Sequence, residues 1–242
     1  MTSHLTMQNR VLYFLLGLLL ISHLTVAQNF QKEIIPRPNT ISLGVGPSFM
    51  YADNAGGIRS SQFKIRPAAS LAYGRDVNSF MKVRGTFGFQ MLESQGPSYY
   101  SDAVLRRWVE TDQALGIKGN AFYFDLMPLF HLPVDRHINR SPLNIYAGVG
   151  LGVMLVDKEE ARVINNTPTT EQRSLSLFYV PIRGGVSYRI GDHGDLALEG
   201  TILATFSDDL DGNIGFNRFN DHLFQAQIVY KRYLSPFPFW RK

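Results

Sequence analysis

Two long stretches of the chain alternate between apolar and polar or small residues. In residues 80–92, one face carries Met, Val, Gly and Phe, and the other carries Lys, Arg, Thr, Gly and Gln. In residues 143–156, Leu, Ile, Ala and Val alternate with Asn, Tyr, Met and Gly. A period of two indicates a β-strand with one apolar face. Both runs exceed the five or six residues usual in soluble proteins and match the roughly ten that a tilted membrane strand needs.

Weaker versions of this alternation complete a set of eight strands, and no convincing helical periodicity lies between them. The predicted strands are residues 40–51, 63–75, 79–92, 120–132, 143–156, 175–190, 195–206 and 222–234. An even number of antiparallel strands is typical of single-chain bacterial barrels. The predicted fold is therefore all-β, an eight-stranded antiparallel up-and-down transmembrane β-barrel.

The connections alternate in length as expected for a barrel with both ends in the periplasm. The long ones are residues 52–62, 93–119, 157–174 and 207–221, and the shorter ones are residues 76–78, 133–142 and 191–194. We expect 93–119 and 157–174 to be outer loops available for binding. The segment 93–119 contains aromatic and arginine side chains, a composition found at interfaces. The same composition is equally compatible with a loop folded over the lumen mouth. These residues are Tyr99, Tyr100, Arg106, Arg107 and Trp108.

Alternation alone does not decide which face points outward, because a soluble lipocalin-like barrel has an apolar interior. The length of the strands and the aromatic residues near their ends favour the membrane arrangement. So do the long cations on the polar face, which suit a narrow lumen filled by side chains. They are Lys64, Arg66, Lys82, Arg84, Arg183 and Arg189. A buried cation needs a partner, and Glu199 is the predicted counter-charge for Arg183 or Arg189 on the neighbouring strand.

The start of the chain has the three parts of a secretory signal. Arg10 precedes an apolar run at residues 11–21, and small residues follow at Thr25 and Ala27. That run is too short to cross a bilayer as a helix. The predicted organisation is a signal peptide (1–27), an N-terminal periplasmic linker (28–39), an outer-membrane barrel (40–234) and a C-terminal aromatic tail (235–242).

Composition excludes several kinds of chemistry. The chain has no cysteine, and therefore no disulfide framework, lipid-anchor cysteine or thiolate nucleophile. Its 24 basic and 20 acidic residues are too nearly balanced to indicate a nucleic-acid partner.

Two groups of polar residues are candidates for chemistry. The loop from Ser207 to Asn213 concentrates carboxylates at Asp208, Asp209 and Asp211, and it could hold calcium. It departs from an EF-hand because its glycine comes too early and no bidentate Glu follows at the twelfth position. The same composition is also what a polar turn needs.

The second group is His222, beside Asp221 and not far from Ser207, which begins the connection that Asp221 ends. A nucleophile, base and carboxylate within hydrogen-bond reach would make a lipid hydrolase or acyl transferase. Neither group is specific enough to assign. We therefore assign no catalytic, cofactor-binding or metal-binding residues and no cofactor, and expect a protein that is not an enzyme.

Several short motifs resemble the small outer-membrane barrels of the OmpA/OmpX type that are common in Bacteroidetes. They lie at residues 43–53, 83–88 and 206–212. One branch of that family is an accessory barrel of the type IX secretion machinery, which contacts a periplasmic complex. The resemblance implies a structural, interaction or secretion-accessory role, with outer-membrane lipid and a periplasmic protein as partners. A lipid-modifying enzyme and a soluble lipocalin-like carrier remain the alternatives.

Overall fold

The computed structural model describes residues 38–55, 62–132, 142–164, 167–191, 193–215 and 220–234. Every described residue belongs to a single compact unit within Ile35–Lys242. The expected signal peptide (1–27) and aromatic tail (235–242) lie outside the described residues, as do most of the linker and of the connection 133–142. In the described part of the chain, no helix is long and apolar enough to cross a membrane.

Most of the described residues lie in β-strands. The strands are β1 (Asn39–Tyr51), β2 (Arg66–Asp76), β3 (Met81–Glu93), β4 (Gly116–Leu132), β5 (Leu143–Val149), β6 (Leu151–Ile164), β7 (Thr167–Arg189), β8 (Gly194–Thr205) and β9 (His222–Leu234). A 3-10 turn (Pro97–Tyr99) and helix α1 (Asp102–Glu110) lie between β3 and β4.

The strands form one antiparallel ring. Strands that are neighbours in sequence pair with each other, except β5 and β6, and β9 returns to pair with β1. Both β5 and β6 pair with β4 on one side and β7 on the other, so together they fill a single position in the wall. Gly150 separates them, and its N–H donates to the carbonyl of Pro181 (3.1 Å). The wall therefore has eight positions, which confirms the predicted fold class.

The distribution of polar residues is inverted relative to a soluble protein. On β1, outward Leu43 and Val45 are each 57% exposed, whereas inward Ser42 is 6% exposed. The same alternation runs around the ring, so the outside is an apolar belt and the lumen holds buried polar side chains. The lipocalin-like alternative is wrong because a large apolar surface in water is unfavourable, whereas lipid covers it.

The two ends of the barrel differ. The terminal rim carries both ends of the wall, where Asn39 pairs with Leu234, and its connections include a turn in which Asn78 Oδ1 accepts from the N–H of Met81 (2.8 Å). The loop rim is the opposite end, formed by the segments that follow β1, β3, β6 and β8.

One predicted loop is a strand pair instead. Residues 157–164 of β6 and 167–174 of β7 pair continuously up to Ile164 and Thr167 and extend past the belt. We call these two segments the ribbon. Outward side chains change from Leu155 in the belt to Asp157 above it, so the ribbon begins where the apolar surface ends. The expectation of a long loop at 157–174 was wrong. Above the belt both faces of a strand carry polar residues, so the alternation that would predict the strand is absent.

The connection 93–119 also differs from the expectation. It contains α1, although no helical periodicity was predicted, and β4 already begins at Gly116. Trp108 of α1 is 1% exposed, and its ring packs against that of Tyr100 (centroids 4.6 Å apart). The segment is therefore folded onto the loop rim, one of the two arrangements that its composition allowed.

Candidate functional site

The middle of the lumen contains a network of ion pairs. Arg84 Nη1 lies 2.6 Å from Glu199 Oε2, and Arg183 Nε lies 3.2 Å from Glu199 Oε1. Arg183 Nη2 also reaches Asp125 Oδ2 at 3.2 Å. All four side chains are at most 3% exposed. The predicted pairing of Glu199 with Arg183 is confirmed, whereas Arg84 and Asp125 were missed as partners.

Tyrosine hydroxyls complete this network. Tyr146 donates to Glu199 Oε2 (2.7 Å) and Tyr179 donates to Asp125 Oδ2 (3.1 Å). The ring of Tyr179 lies against Gly152, where a Cβ atom would overlap it. This contact explains why glycine occupies the lumen face of β6 at that level. The carboxylates are thus held by both cations and hydroxyls, as a buried charge requires.

Apolar layers lie on both sides of the polar network. Towards the loop rim, a buried cluster combines wall residues such as Met50 and Leu223 with the loop residues Ala55, Ala114 and Leu210. Towards the terminal rim, a smaller cluster contains Met127, Leu129, Tyr146, Ala197 and Val229. Packed side chains therefore occupy the lumen at successive levels, which is what a narrow eight-stranded ring permits.

Charged residues connect the ribbon to the other loops. Glu160 of β6 is fully buried and pairs with Lys158 (2.6 Å) and Arg162 (2.7 Å). Arg162 also donates to the carbonyl oxygens of Asp112 and Gly212, which belong to two different loops. Burial alone would raise the pKa of Glu160, but hydrogen bonds and charge from Lys158 and Arg162 lower it below its ordinary value. The ribbon therefore braces the loop rim.

The carboxylates of the loop between β8 and β9 have separate partners. Asp208 Oδ2 accepts from the N–H of Gly215 (2.7 Å), while Asp209 Oδ1 pairs with Lys158 (3.1 Å) and Arg173 (3.5 Å). In the described residues, no group of three or more His, Cys, Asp or Glu side chains is arranged to hold a metal ion. The calcium loop considered from the sequence, formed by residues 207–213 alone, is thus not assembled.

Asp211 and Asp221 instead bind backbone amides of adjoining segments. Asp211 Oδ2 accepts from the N–H of Asn54 (3.1 Å) and its Oδ1 from that of Asn213 (2.8 Å). Asp221 Oδ2 accepts from the N–H groups of Leu210 (2.8 Å) and Asp211 (3.3 Å). Burial and the charge of nearby carboxylates raise the pKa of Asp221 to about 9, and burial raises that of Asp211 to about 6. The loop before β9 thus concentrates buried carboxyl groups.

Two buried amides adjoin these carboxylates and have unused polar atoms. Asn54 and Asn213 are 0% exposed, and Asn54 Oδ1 and both side-chain polar atoms of Asn213 have no hydrogen-bond partner. Leaving such an atom unpaired costs about 1–3 kcal/mol. Nothing in the sequence pattern indicated Asn54, because it lies 157 residues from Asp211.

The hydrolase arrangement considered for His222 is not assembled. Its Nδ1 lies 2.8 Å from the backbone oxygen of Asp221, whose carboxylate instead binds the N–H groups of Leu210 and Asp211. The hydroxyl of Ser207 accepts from the N–H of Asp209 (3.2 Å). The three side chains therefore do not form a nucleophile, base and carboxylate relay.

Comparisons with known proteins support the fold. No family model and no curated protein matches the chain. The chain is similar to the crystal structure of Neisserial surface protein A, with a TM-score of 0.50 and 9% identity over 81% of this chain and 97% of that one. A major outer membrane protein from Thermus thermophilus has a TM-score of 0.46 and 12% identity, over 81% and 99%. The outer membrane enzyme PagL has a TM-score of 0.38 and 12% identity, over 81% and 99%.

At such identities the likeness to Neisserial surface protein A shows the fold alone. The ring of strands, the outward apolar belt and this likeness together define a small transmembrane β-barrel.

Proposed function

We propose that the protein is a non-enzymatic barrel of the bacterial outer membrane, exported by a signal peptide at residues 1–27. Its role is structural or interactive, with lipid around the belt and the loop rim outside the cell. The observation that carries this proposal is the apolar belt around a lumen filled by the network of Arg84, Asp125, Arg183 and Glu199. A filled lumen gives neither a wide aqueous path nor an enclosed ligand cavity.

The loop rim is the proposed interaction surface. Arg162 ties the ribbon to two other loops, and Tyr100 donates to the carbonyl of Asp53 (3.2 Å). The exposed face of α1 presents Asp102, Arg106 and Glu110. Recognition is favoured on a surface that is already ordered, because less conformational entropy is lost on binding.

A secretion-accessory role would place a second contact at the terminal rim. We propose a periplasmic protein partner there, as the resemblance to the type IX accessory branch implies. Replacement of the tail 235–242 or the connection 133–142 is expected to abolish co-purification of that partner. Retention of the partner by both variants would contradict this contact. It would not contradict the proposal that the protein is an outer-membrane barrel.

The membrane location is tested by fractionating cells that make the full-length protein. We expect the protein in the outer membrane, with different gel mobility in heated and unheated detergent extracts, because intact barrels resist unfolding. A soluble protein that is purified without detergent would contradict the proposal.

An acyl-chain release assay with His222→Ala as the comparison tests the enzymatic alternative, and we expect no activity in either form.

A further inference from the structure

The loop rim brings four oxygen-bearing side chains together from segments far apart in sequence. Asn54 follows β1, and Asp211, Asn213 and Asp221 precede β9. Asn54 is joined to Asp211 twice, because its backbone N–H donates to Asp211 Oδ2 and its Nδ2 donates to the Asp211 carbonyl (2.8 Å). The backbone N–H of Asn213 donates to Oδ1, the other carboxylate oxygen of Asp211 (2.8 Å).

The orientation of the Asn54 amide is fixed by its surroundings. Its Nδ2 faces two carbonyl oxygens, those of Asp211 (2.8 Å) and Ala114 (3.4 Å), so exchanging nitrogen and oxygen would leave oxygen facing oxygen. The unpartnered atom is therefore the acceptor Oδ1. Exchanging the atoms of Asn213 would not help either, because both its side-chain atoms lack a partner.

The carboxylates beside these amides are also short of positive charge. Asp211 and Asp221 are 1% and 2% exposed, and the backbone N–H of Asp211 donates to Asp221 Oδ2 (3.3 Å), so the two buried residues are in direct contact. The cations of the ribbon are directed elsewhere, since Lys158 and Arg162 both pair with Glu160. Buried acceptors without donors, next to mutually repelling carboxylates, are a combination that a cation relieves.

We propose that Asp211, Asp221, Asn54 and Asn213 form a calcium site at the loop rim. Ca²⁺ accepts carboxylate and amide oxygens in flexible arrangements of six to eight ligands, with water completing the shell. Each oxygen of Asp211 accepts one N–H and keeps a lone pair for the ion, whereas Asp221 Oδ2 accepts two N–H groups and leaves coordination to Oδ1. This set of ligands has two carboxylates and two amides. It is therefore not one of the groups of three or more His, Cys, Asp or Glu side chains, of which the described residues contain none. Bound calcium joins the loop after β1 to the loop before β9.

The test is calcium binding to the full-length barrel, refolded in detergent and treated with a chelator. Isothermal titration with CaCl₂ is expected to show one ion per chain, with a dissociation constant on the order of 10⁻⁴ to 10⁻³ M. The thermal midpoint of the barrel should rise with calcium, because the ion binds only the folded state. Mg²⁺ is expected to bind at least about tenfold more weakly, because it requires stricter octahedral geometry.

Variants identify the ligands. Asp211→Asn and Asn213→Leu are expected to weaken calcium binding at least about tenfold. Asp102→Asn removes an exposed carboxylate from the same rim and should leave calcium binding unchanged. Asn213→Leu also removes an unpaired buried amide, so it should fold without calcium at least as well as the parent protein. Heat-dependent gel mobility verifies the fold of each variant. Absence of calcium binding in the parent protein, or unchanged binding in Asn213→Leu, would overturn the proposal.

Discussion

Glu199 has a central position among the lumen residues because it contacts two arginines and the hydroxyl of Tyr146. Its carboxylate is 1% exposed and lies within 3.2 Å of both Arg84 and Arg183. Arg183 in turn reaches Asp125. Charges at this depth are tolerated only when each is compensated, so the four residues act as one unit.

Replacing Glu199 by Gln is expected to lower the free energy of unfolding by about 3–5 kcal/mol, because two buried arginines lose their shared counter-charge. Urea unfolding in detergent micelles, followed by heat-dependent gel mobility, measures the change. Glu171→Gln, at an exposed position of the ribbon, is the matched control and should change stability by no more than about 0.5 kcal/mol.

The double variant Arg84→Met/Glu199→Met should recover much of this loss, because removing both members of a buried pair leaves fewer uncompensated charges. Equal stability of Glu199→Gln and the parent protein would contradict the role assigned to the network.

The sequence predicted part of this network. Arg183 and Glu199 lie on adjacent strands joined by a short turn, so their shared inward face was sufficient to pair them. Arg84 belongs to β3, which does not pair with β8, and reaches Glu199 only across the lumen. Contacts across the lumen depend on its width and on the tilt of the strands, which alternation does not encode.

At the scale of elements, the ribbon is the feature that most distinguishes this barrel. β6 and β7 continue past the belt, and Glu160 fixes Lys158 and Arg162 in the positions from which they reach the neighbouring loops. A two-stranded extension alone is only marginally stable in water. These contacts with other loops therefore stabilise the ribbon.

The ribbon should loosen in acid. The pKa of Glu160 lies below its ordinary value, so its contribution to stability is complete above that value and is lost as the pH falls through the lowered pKa. Lys158, Arg162 and Arg173 face this carboxylate, while Asp209 shares Lys158 and Arg173 with it. Amide exchange in residues 157–164, corrected for intrinsic rates, should increase between about pH 6 and about pH 3.

Glu160→Gln provides the control, because it removes the titrating group. Its ribbon should already exchange faster near neutral pH and should show a smaller further increase in acid. An unchanged acid response in Glu160→Gln would assign the effect to other carboxylates.

Alternation predicted all the wall strands, and β9 matches residues 222–234. It misplaced the elements outside the belt for a physical reason. Above the apolar belt, water contacts the outward face of a strand and polar side chains appear on both faces, as they do from Thr167 to Ser174. Helix α1 has five apolar residues among nine, but it is shorter than the window over which a helical period stands out, and only Trp108 is buried.

At the scale of the whole molecule, the barrel is closed at several levels. The network around Glu199 lies between two apolar clusters, and α1 and its neighbours fold onto the loop rim. We expect no steady ohmic conductance when the protein is inserted into a planar bilayer, because an eight-stranded ring filled by side chains leaves no aqueous channel.

Replacement of residues 97–112 by a short Gly-Ser linker should not create a conductance, since the ion-paired layer remains below. A large porin measured in the same bilayer is the positive control. A steady channel in the parent protein would contradict the closed lumen, and a channel that appears only in the linker variant would make the loop segment the principal barrier.

The sequence by itself determined which residues face the lumen and which face lipid, and how many strands make up the wall. These properties depend on the period of two along each strand, a local feature that the bilayer reinforces. Only the tertiary structure decided that Arg84 meets Glu199 across the lumen, that the ribbon braces α1 and the loop before β9, and that Asn54 lies against Asp211. Such contacts join residues far apart in sequence, and their distances are set by closure of the ring.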